Sequence, residues 1–372
     1  MHDEGQAIWL DFVDRSFLAQ GGLRRLIEED GLSGVTSNPS IFEKAMGHGD
    51  AYDEGIKAAL AQGVDSVAAL YESQAIADIK AAAADLRPVY ERTSGQDGYV
   101  SLEVSPYLAH DTAGTIAEAH RLWQAVGEPN LMIKVPATTE GIPAIQRLIA
   151  DGLNVNVTLL FALSAYQLVA HAYVKGLEER VARGQPINRI ASVASFFVSR
   201  IDTQIDRKID ARVTAGEPHA SALSALRGKV AIANAKLAYA WYQDMVAEDR
   251  WQALRVKGAM PQRLLWASTG VKDPAYPDVL YVEALIGRDT VNTLPPATMD
   301  AFRDHGTVAP TLGADVDEAR RVLRDAERFD LDLAGVTEAL VEDGVKQFAD
   351  AADKLLAAVG GKRAHFQGDT AT

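Results

Sequence analysis

Leu131-Met132-Ile133-Lys134-Val135-Pro136 is the stretch on which the fold turns. It is an apolar run of strand length, carries one lysine in its middle and ends at a proline. Before it, Ala113 to Val126 has the apolar spacing of an amphipathic helix. After it come a second run, Val155-Asn156-Val157-Thr158-Leu159-Leu160, and another helical pattern over Ala165 to Arg180. A strand, a helix and a strand in that order make a parallel pair with a helical crossover. The alternation continues in both directions. Upstream lie Ile8–Val13, Gly34–Pro39 and Tyr99–Val104; downstream lie Ser192–Phe197, Leu264–Thr269 and, with the weakest pattern, Thr290–Leu294. Eight such strands favour an α/β protein of the closed (β/α)8 TIM-barrel class, with additional helices, over an open doubly wound sheet. The open sheet stays as the alternative, because periodicity does not show closure. The lack of GxGxxG after the first strand lowers it.

A plain barrel needs about 250 residues, and this chain has 372. The surplus is expected in helical insertions at about 41–91 and 199–263 and in a C-terminal helical part from about Met299 to Val359. No Pro/Ser linker borders them, so residues 1–359 read as one domain. Gly360 to Thr372 lacks apolar periodicity and is expected to be a flexible tail. There is no cysteine, which excludes a disulfide scaffold, a thiolate nucleophile and cysteine-ligated metal sites. The net charge of −14 argues against broad nucleic-acid or membrane-surface binding but leaves room for a locally basic site for a small anion. Met1-His2-Asp3-Glu4 does not begin a signal peptide, and no apolar run reaches the ~18 residues of a membrane span. A soluble, cytoplasmic protein is the simplest expectation.

Polar side chains near the C-terminal ends of barrel strands point into the active site. Lys134 is the most informative of them. An ammonium buried between Ile133 and Val135 is unfavourable unless paired or neutral. Burial and neighbouring positive charge make a lysine amine nucleophilic near neutral pH, and such an amine forms a Schiff base with a ketone or aldehyde. The competing explanation is a structural Lys–Glu ion pair inside the barrel. Asp11 and Glu103 are then candidate acid–base groups, each with a plain salt bridge to Lys134 as its alternative. Asp14 competes with Asp11, and spacing alone does not decide between them. Asn38, Asn156 and Thr158 suit hydrogen bonds to a polyol or a water; the last two share one face of their strand. Ser195, Arg200 and Ser268 suit a phosphate site beside the later strands, although Arg200 also fits a solvated helix start. The eight histidines show no HxH or HExxH spacing, so no metal and no organic cofactor is expected.

Six ordered motifs carry a family resemblance: GVTSNPSIFEKA at Gly34–Ala45, GYVSLEVSP at Gly98–Pro106, NLMIKVPAT at Asn130–Thr138, NVNVTLLF at Asn154–Phe161, ASFFVSRID at Ala194–Asp202 and LWASTGVKDPAY at Leu265–Tyr276. The chain resembles the transaldolases, in the longer subfamily found in many bacteria and in plants, from Ile8 to about Val359. That resemblance implies that Lys134 is the Schiff-base lysine and Asp11 the acid–base residue acting on the C4 hydroxyl. It implies that Glu103 and Thr158 hold the catalytic water. Asn38, Asn156 and Ser195 would contact substrate hydroxyls and the dihydroxyacetone intermediate; Arg200 and Ser268 would bind phosphate. One position departs. Where the shorter subfamily has a second phosphate-binding arginine, this chain has Gly270, and Lys272 is expected to supply the missing charge.

The resemblance implies transfer of a dihydroxyacetone unit from sedoheptulose 7-phosphate to glyceraldehyde 3-phosphate in the pentose phosphate pathway, giving erythrose 4-phosphate and fructose 6-phosphate. Sugar phosphates would be the partners, and the protein a monomer or homodimer. A fructose 6-phosphate aldolase-like lyase is the nearer alternative, but related lyases carry a tyrosine where this chain has Phe197. A non-catalytic sugar-phosphate-binding barrel is the more distant one, and it would be expected to lose Lys134, Asp11 or Glu103. Some relatives are fused to glucose-6-phosphate isomerase; this chain ends before such a domain, so isomerase activity is not expected.

Overall fold

β-Branched and aromatic runs too short for helices form the strands, and capping side chains such as Asp14 and Asn38 start the helices that follow the first two. In the computed structural model, which describes residues 1–369, a short 3-10 turn at His2–Glu4 leads into β1 (Gln6–Leu10), α1 (Arg15–Ala19), α2 (Gly22–Glu29) and β2 (Gly34–Val35). Helices α3 (Pro39–Gly47), α4 (Asp53–Ala61) and α5 (Val67–Arg92) lead to β3 (Tyr99–Glu103). Then come α6 (Thr112–Val126), β4 (Leu131–Pro136), α7 (Gly141–Asp151), β5 (Val155–Leu160), α8 (Leu163–Ala182) and β6 (Ser192–Phe197). Helices α9 (Ser199–Thr214), α10 (Ala220–Ser224), α11 (Val230–Ala247) and α12 (Asp249–Arg255) precede β7 (Arg263–Ala267), and α13 (Leu280–Glu283) precedes β8 (Thr290–Leu294). The C-terminal part is α14 (Pro296–His305), α15 (Val316–Arg328) and α16 (Leu333–Asp369).

All eight strands are parallel and close in sequence order, β8 pairing with β1. Every residue of β4, β5 and β6 is buried, as expected for strands covered by helices outside and by each other within. Closure depends on a glycine in the shortest strand. A Cβ on Gly34 would lie 2.3 Å from the indole of Trp9, which is fully buried on the neighbouring strand. At the N-terminal end of the barrel, Asp97 accepts from Trp9 Nε1 at 2.8 Å and from Ser33 Oγ at 3.0 Å, and meets Arg263 at 3.2 Å. That network ties β1 and β7 to the turn before β3, on the face that carries stability rather than chemistry.

Four strands are shorter than the sequence pattern indicates: the third by one residue, ending at Glu103, and three others each for a local reason. The first stops at Leu10, because Asp14 turns the chain into α1 by accepting from Phe17 N at 3.0 Å. The second stops at Val35, because Asn38 and Pro39 start α3. The seventh stops at Ala267, because Ser268 takes a left-handed backbone with φ 55°. One expectation about the C-terminus needs correcting. Residues 360–369 are helical, because α16 runs past Gly360 to Asp369. Lys362 Nζ donates to Gly49 O at 2.6 Å and pairs with Asp53, and Lys57 Nζ sits 4.9 Å from the Phe366 ring centre. These contacts anchor a segment whose sequence lacks apolar periodicity. The last part of that expected tail, residues 370–372, lies outside the described residues. Helix α16 packs on α3, α5 and α9 and touches β5, so it crosses the C-terminal face of the barrel.

Candidate active site

Strand register sets the centre of the site. Glu103 on β3 stands opposite Lys134 on β4, and Lys134 stands opposite Asn156 on β5. Three polar side chains on adjacent strands therefore share one level of the barrel. Lys134 is 4% exposed; its Nζ donates to the carbonyl of Ser37 at 3.1 Å and lies 3.5 Å from Glu103 Oε2. The Glu103 side chain is 7% exposed. Burial pushes its carboxyl up to about 7; the Lys134 charge opposes the rise and Asp11 adds to it. Asp11 comes directly after β1, and Oδ1 accepts from Thr36 Oγ1 at 2.7 Å; that hydroxyl also lies 2.7 Å from Thr293 Oγ1. Burial raises the Asp11 carboxyl as well, against the pull of Lys134, Thr36, Arg200 and Lys272.

Over this centre opens a cavity of roughly 510 Å³ at the C-terminal ends of the strands. Asp11, Asn38, Lys134, Thr158, Ser195, Arg200, Ser268 and Lys272 all line it. Glu103 and Asn156 stand behind the wall. The Asn156 amide donates to Ser101 Oγ at 2.9 Å and its oxygen accepts from Ser195 Oγ at 2.7 Å, so Asn156 orients the serine that faces the cavity. Asn38 caps α3, its Oδ1 accepting from Ile41 N at 3.0 Å. Thr158 Oγ1 and Glu103 Oε2 are both buried without a hydrogen-bond partner in the protein, and a shared water would satisfy both.

The basic side of the cavity is built from three elements. Arg200, near the start of α9, lies 5.3 Å from the Phe197 ring centre and donates to Gln347 Oε1 of α16 at 3.1 Å. Burial lowers its guanidinium pKa, and Asp343 and Asp11 resist that. Ser268 sits beside it; its Oγ lies 3.0 Å from Ser199 Oγ. Lys272 is exposed at the rim, and Gly270 forms part of the wall between them. Several charges and dipoles thus line a cavity that also holds a buried amine beside the Glu103 carboxyl. A nucleophilic amine, two proton carriers and an anion site suit imine chemistry on a phosphorylated carbonyl compound.

Comparison with known proteins agrees with that chemistry. The family described as Transaldolase/Fructose-6-phosphate aldolase matches residues 8–359. The chain belongs to this family. A "Transaldolase 2" of Nostoc sp. is 48% identical over 96% of this chain and 95% of its own length. A "Transaldolase" of Thermobifida fusca is 48% identical over 96% of the chain and 95% of its own. One from Thiobacillus denitrificans is 49% identical over 96% and 97%. These transaldolases match nearly end to end, so the extra helices are part of the resemblance and not an appendage to it.

Residue spacing does not separate Asp11 from Asp14, and the family resemblance points to Asp11; in the structure Asp14 caps α1 and Asp11 lines the cavity. It missed Thr36, Lys44 and Phe348, all of which line the cavity with Lys134. Thr36 was discoverable, since it lies in the segment that also carries Asn38. Phe348 had no local signal, because it is one more apolar residue in a long helix distant in sequence from every strand. Among the described residues no group of three or more His, Asp or Glu is gathered to hold a metal ion, and no helix is long and apolar enough to cross a membrane.

Proposed function

We propose the following course for the transaldolase reaction that this chain carries out. Lys134 attacks the C2 ketone of sedoheptulose 7-phosphate or fructose 6-phosphate and loses water to form an imine. Glu103, titrating near neutrality beside Nζ, exchanges the protons of that step through a water shared with Thr158. Asp11 takes the C4 hydroxyl proton, the C3–C4 bond breaks, and its electron pair moves into an enamine on Lys134. Its raised pKa suits a group that must hold a proton and return it. Asn38 and Ser195, the latter oriented by Asn156, hold the hydroxyls of the three-carbon unit. Arg200, Ser268 and Lys272 bind the phosphate of the donor and then of the acceptor aldose, with glyceraldehyde 3-phosphate as acceptor for a sedoheptulose 7-phosphate donor. The protonated imine is the electron sink, so the scheme uses no cofactor. A cytoplasmic place in the pentose phosphate pathway fits these substrates.

The observation that carries this reading is the amine of Lys134, buried in the barrel with Glu103 at 3.5 Å and lining one cavity with Asp11 and Arg200. The test is a coupled assay with fructose 6-phosphate, with and without erythrose 4-phosphate. Consumption that depends on the acceptor is expected. Continued release of glyceraldehyde 3-phosphate without acceptor, beyond the one equivalent per site that the half-reaction frees, would instead identify a lyase. Lys134→Met should abolish turnover and borohydride trapping together; trapping at full yield in that variant would move the nucleophile elsewhere.

A further inference from the structure

A transferase of this kind must keep water from the enamine while it waits for an acceptor. The leak is simple chemistry. A water proton goes to C3, the C2=C3 electron pair forms the new C–H bond, and the nitrogen lone pair restores the iminium. Hydroxide then adds at C2, the C–N bond breaks, and dihydroxyacetone leaves with free amine. Whatever stands against Lys134 Nζ on the cavity side decides how easily that water arrives.

Phe348 stands there. It belongs to α16, is only 5% exposed, lines the same cavity as Lys134 and Asp11, and its ring centre lies 5.8 Å from Lys134 Nζ. The imine carbon sits about 1.3 Å from Nζ and the reactive carbon one bond further, so the ring lies within contact range of the covalent intermediate. The polar partners of Nζ are the Ser37 carbonyl and the Glu103 carboxyl. Phe348 thus presents an apolar ring to a nitrogen whose polar partners are oxygens. Its ring face also favours a nearby cation, and the imine is cationic when protonated.

The approach of α16 is built for this contact. One helical turn before Phe348, Gly344 packs against Leu159, and a Cβ on Gly344 would lie 2.7 Å from Leu159 Cδ2. Leu159 itself has a left-handed backbone, φ 58°, where the β5–β6 register shifts between Val157 and Leu160. The irregular end of β5 and the glycine of α16 together let the helix settle low enough to bring Phe348 over the site.

Resting on the proposed role of Lys134, we infer that Phe348 is a specificity-determining residue that shields the Lys134-bound three-carbon unit from water and so keeps the enzyme a transferase. The test compares wild type, Phe348→Ala, Phe348→Tyr and Phe348→Leu. Dihydroxyacetone release from fructose 6-phosphate without acceptor is measured against transfer to erythrose 4-phosphate, with circular dichroism for folding and borohydride trapping for imine formation. The ratio of release to transfer should rise about tenfold in Phe348→Ala, equivalent to ~1.4 kcal/mol between the two fates. It should rise also in Phe348→Tyr, which keeps the ring and brings a hydroxyl to the wall. Phe348→Leu should stay near wild type. An unchanged ratio in folded Phe348→Tyr and Phe348→Ala, or equal leakage in Phe348→Leu, overturns the inference. If wild type itself gives neither acceptor-dependent transfer nor a trapped Lys134, the underlying catalytic reading fails first, and that result is distinct from a wild type that transfers and variants that do not leak.

Discussion

Replacing Glu103 with Gln tests the electrostatics at the centre of the site. Gln has the shape of the protonated acid and cannot ionise. The carboxyl of Glu103 is raised from 4.5 to about 7 in the folded protein, chiefly by burial, with Lys134 opposing and Asp11 adding. The folded state therefore binds a proton over a pH range in which the unfolded chain has already lost it. Stability from this group is complete below the unfolded value of 4.5 and falls as pH rises through 7. A rise of about 2.5 pKa units corresponds to roughly 3 kcal/mol, of which about 2–3 kcal/mol is lost between pH 5 and pH 8. Glu103→Gln escapes that loss. Urea unfolding of both proteins at pH 5, 6, 7 and 8 should show the variant gaining about 2–3 kcal/mol on wild type across the series. Groups common to both proteins, such as Asp202, whose carboxyl burial also lifts to about 7, cancel in the difference. Parallel curves would mean that Glu103 ionises in the fold as in the unfolded chain. A difference running the other way would mean that attraction to Lys134 outweighs burial. Either result would remove the case for Glu103 as a proton carrier at neutral pH.

Two more outcomes are expected from single side chains. Lys272→Ala should raise KM for phosphorylated substrates by roughly fivefold while leaving kcat largely intact, since one exposed charge at a phosphate is worth on the order of 1 kcal/mol; steady-state kinetics with an unchanged KM would discard Lys272 as the replacement for the charge absent at Gly270. Gly34→Ala puts a methyl 2.3 Å from the Trp9 indole between two hydrogen-bonded strands, so thermal and urea unfolding should show a loss of about 2–3 kcal/mol. Full stability there would mean that β2 is free to move away from β1.

The barrel was legible because its strands are buried on both faces and must be apolar, while the crossover helices must be amphipathic. That contrast survives in a single sequence. It also exposed Lys134, since a charge inside β4 breaks the apolar pattern that surrounds it. Strand ends were less legible. Asp14 reads by spacing like any acidic residue near a strand; the family resemblance points to Asp11 instead, and the cap bond to Phe17 N gives Asp14 a structural place. Asn156 and Thr158 read as equivalent by strand alternation, yet Thr158 lines the cavity while Asn156 bonds to Ser195, because Asn156 lies two residues deeper along β5. The tail beyond Gly360 has no periodic signal because its helix is fastened by Lys362 and Phe366, individual contacts that leave no repeat in the sequence.

The sequence by itself determined the chemistry available: an amine nucleophile, carboxylates for proton transfer, no thiol, and an arginine and a lysine for an anion. Those are properties of side chains and need no fold to be read. What only the tertiary structure decided is who faces whom. Register brought Glu103 level with Lys134, closure of β8 on β1 brought the Thr293 hydroxyl to Thr36 and so to Asp11, and α16 carried Phe348 and Gln347 across the barrel to Lys134 and Arg200. Residues more than a hundred positions apart meet there. Their proximity comes from the packing of whole elements, which no local stretch of sequence encodes.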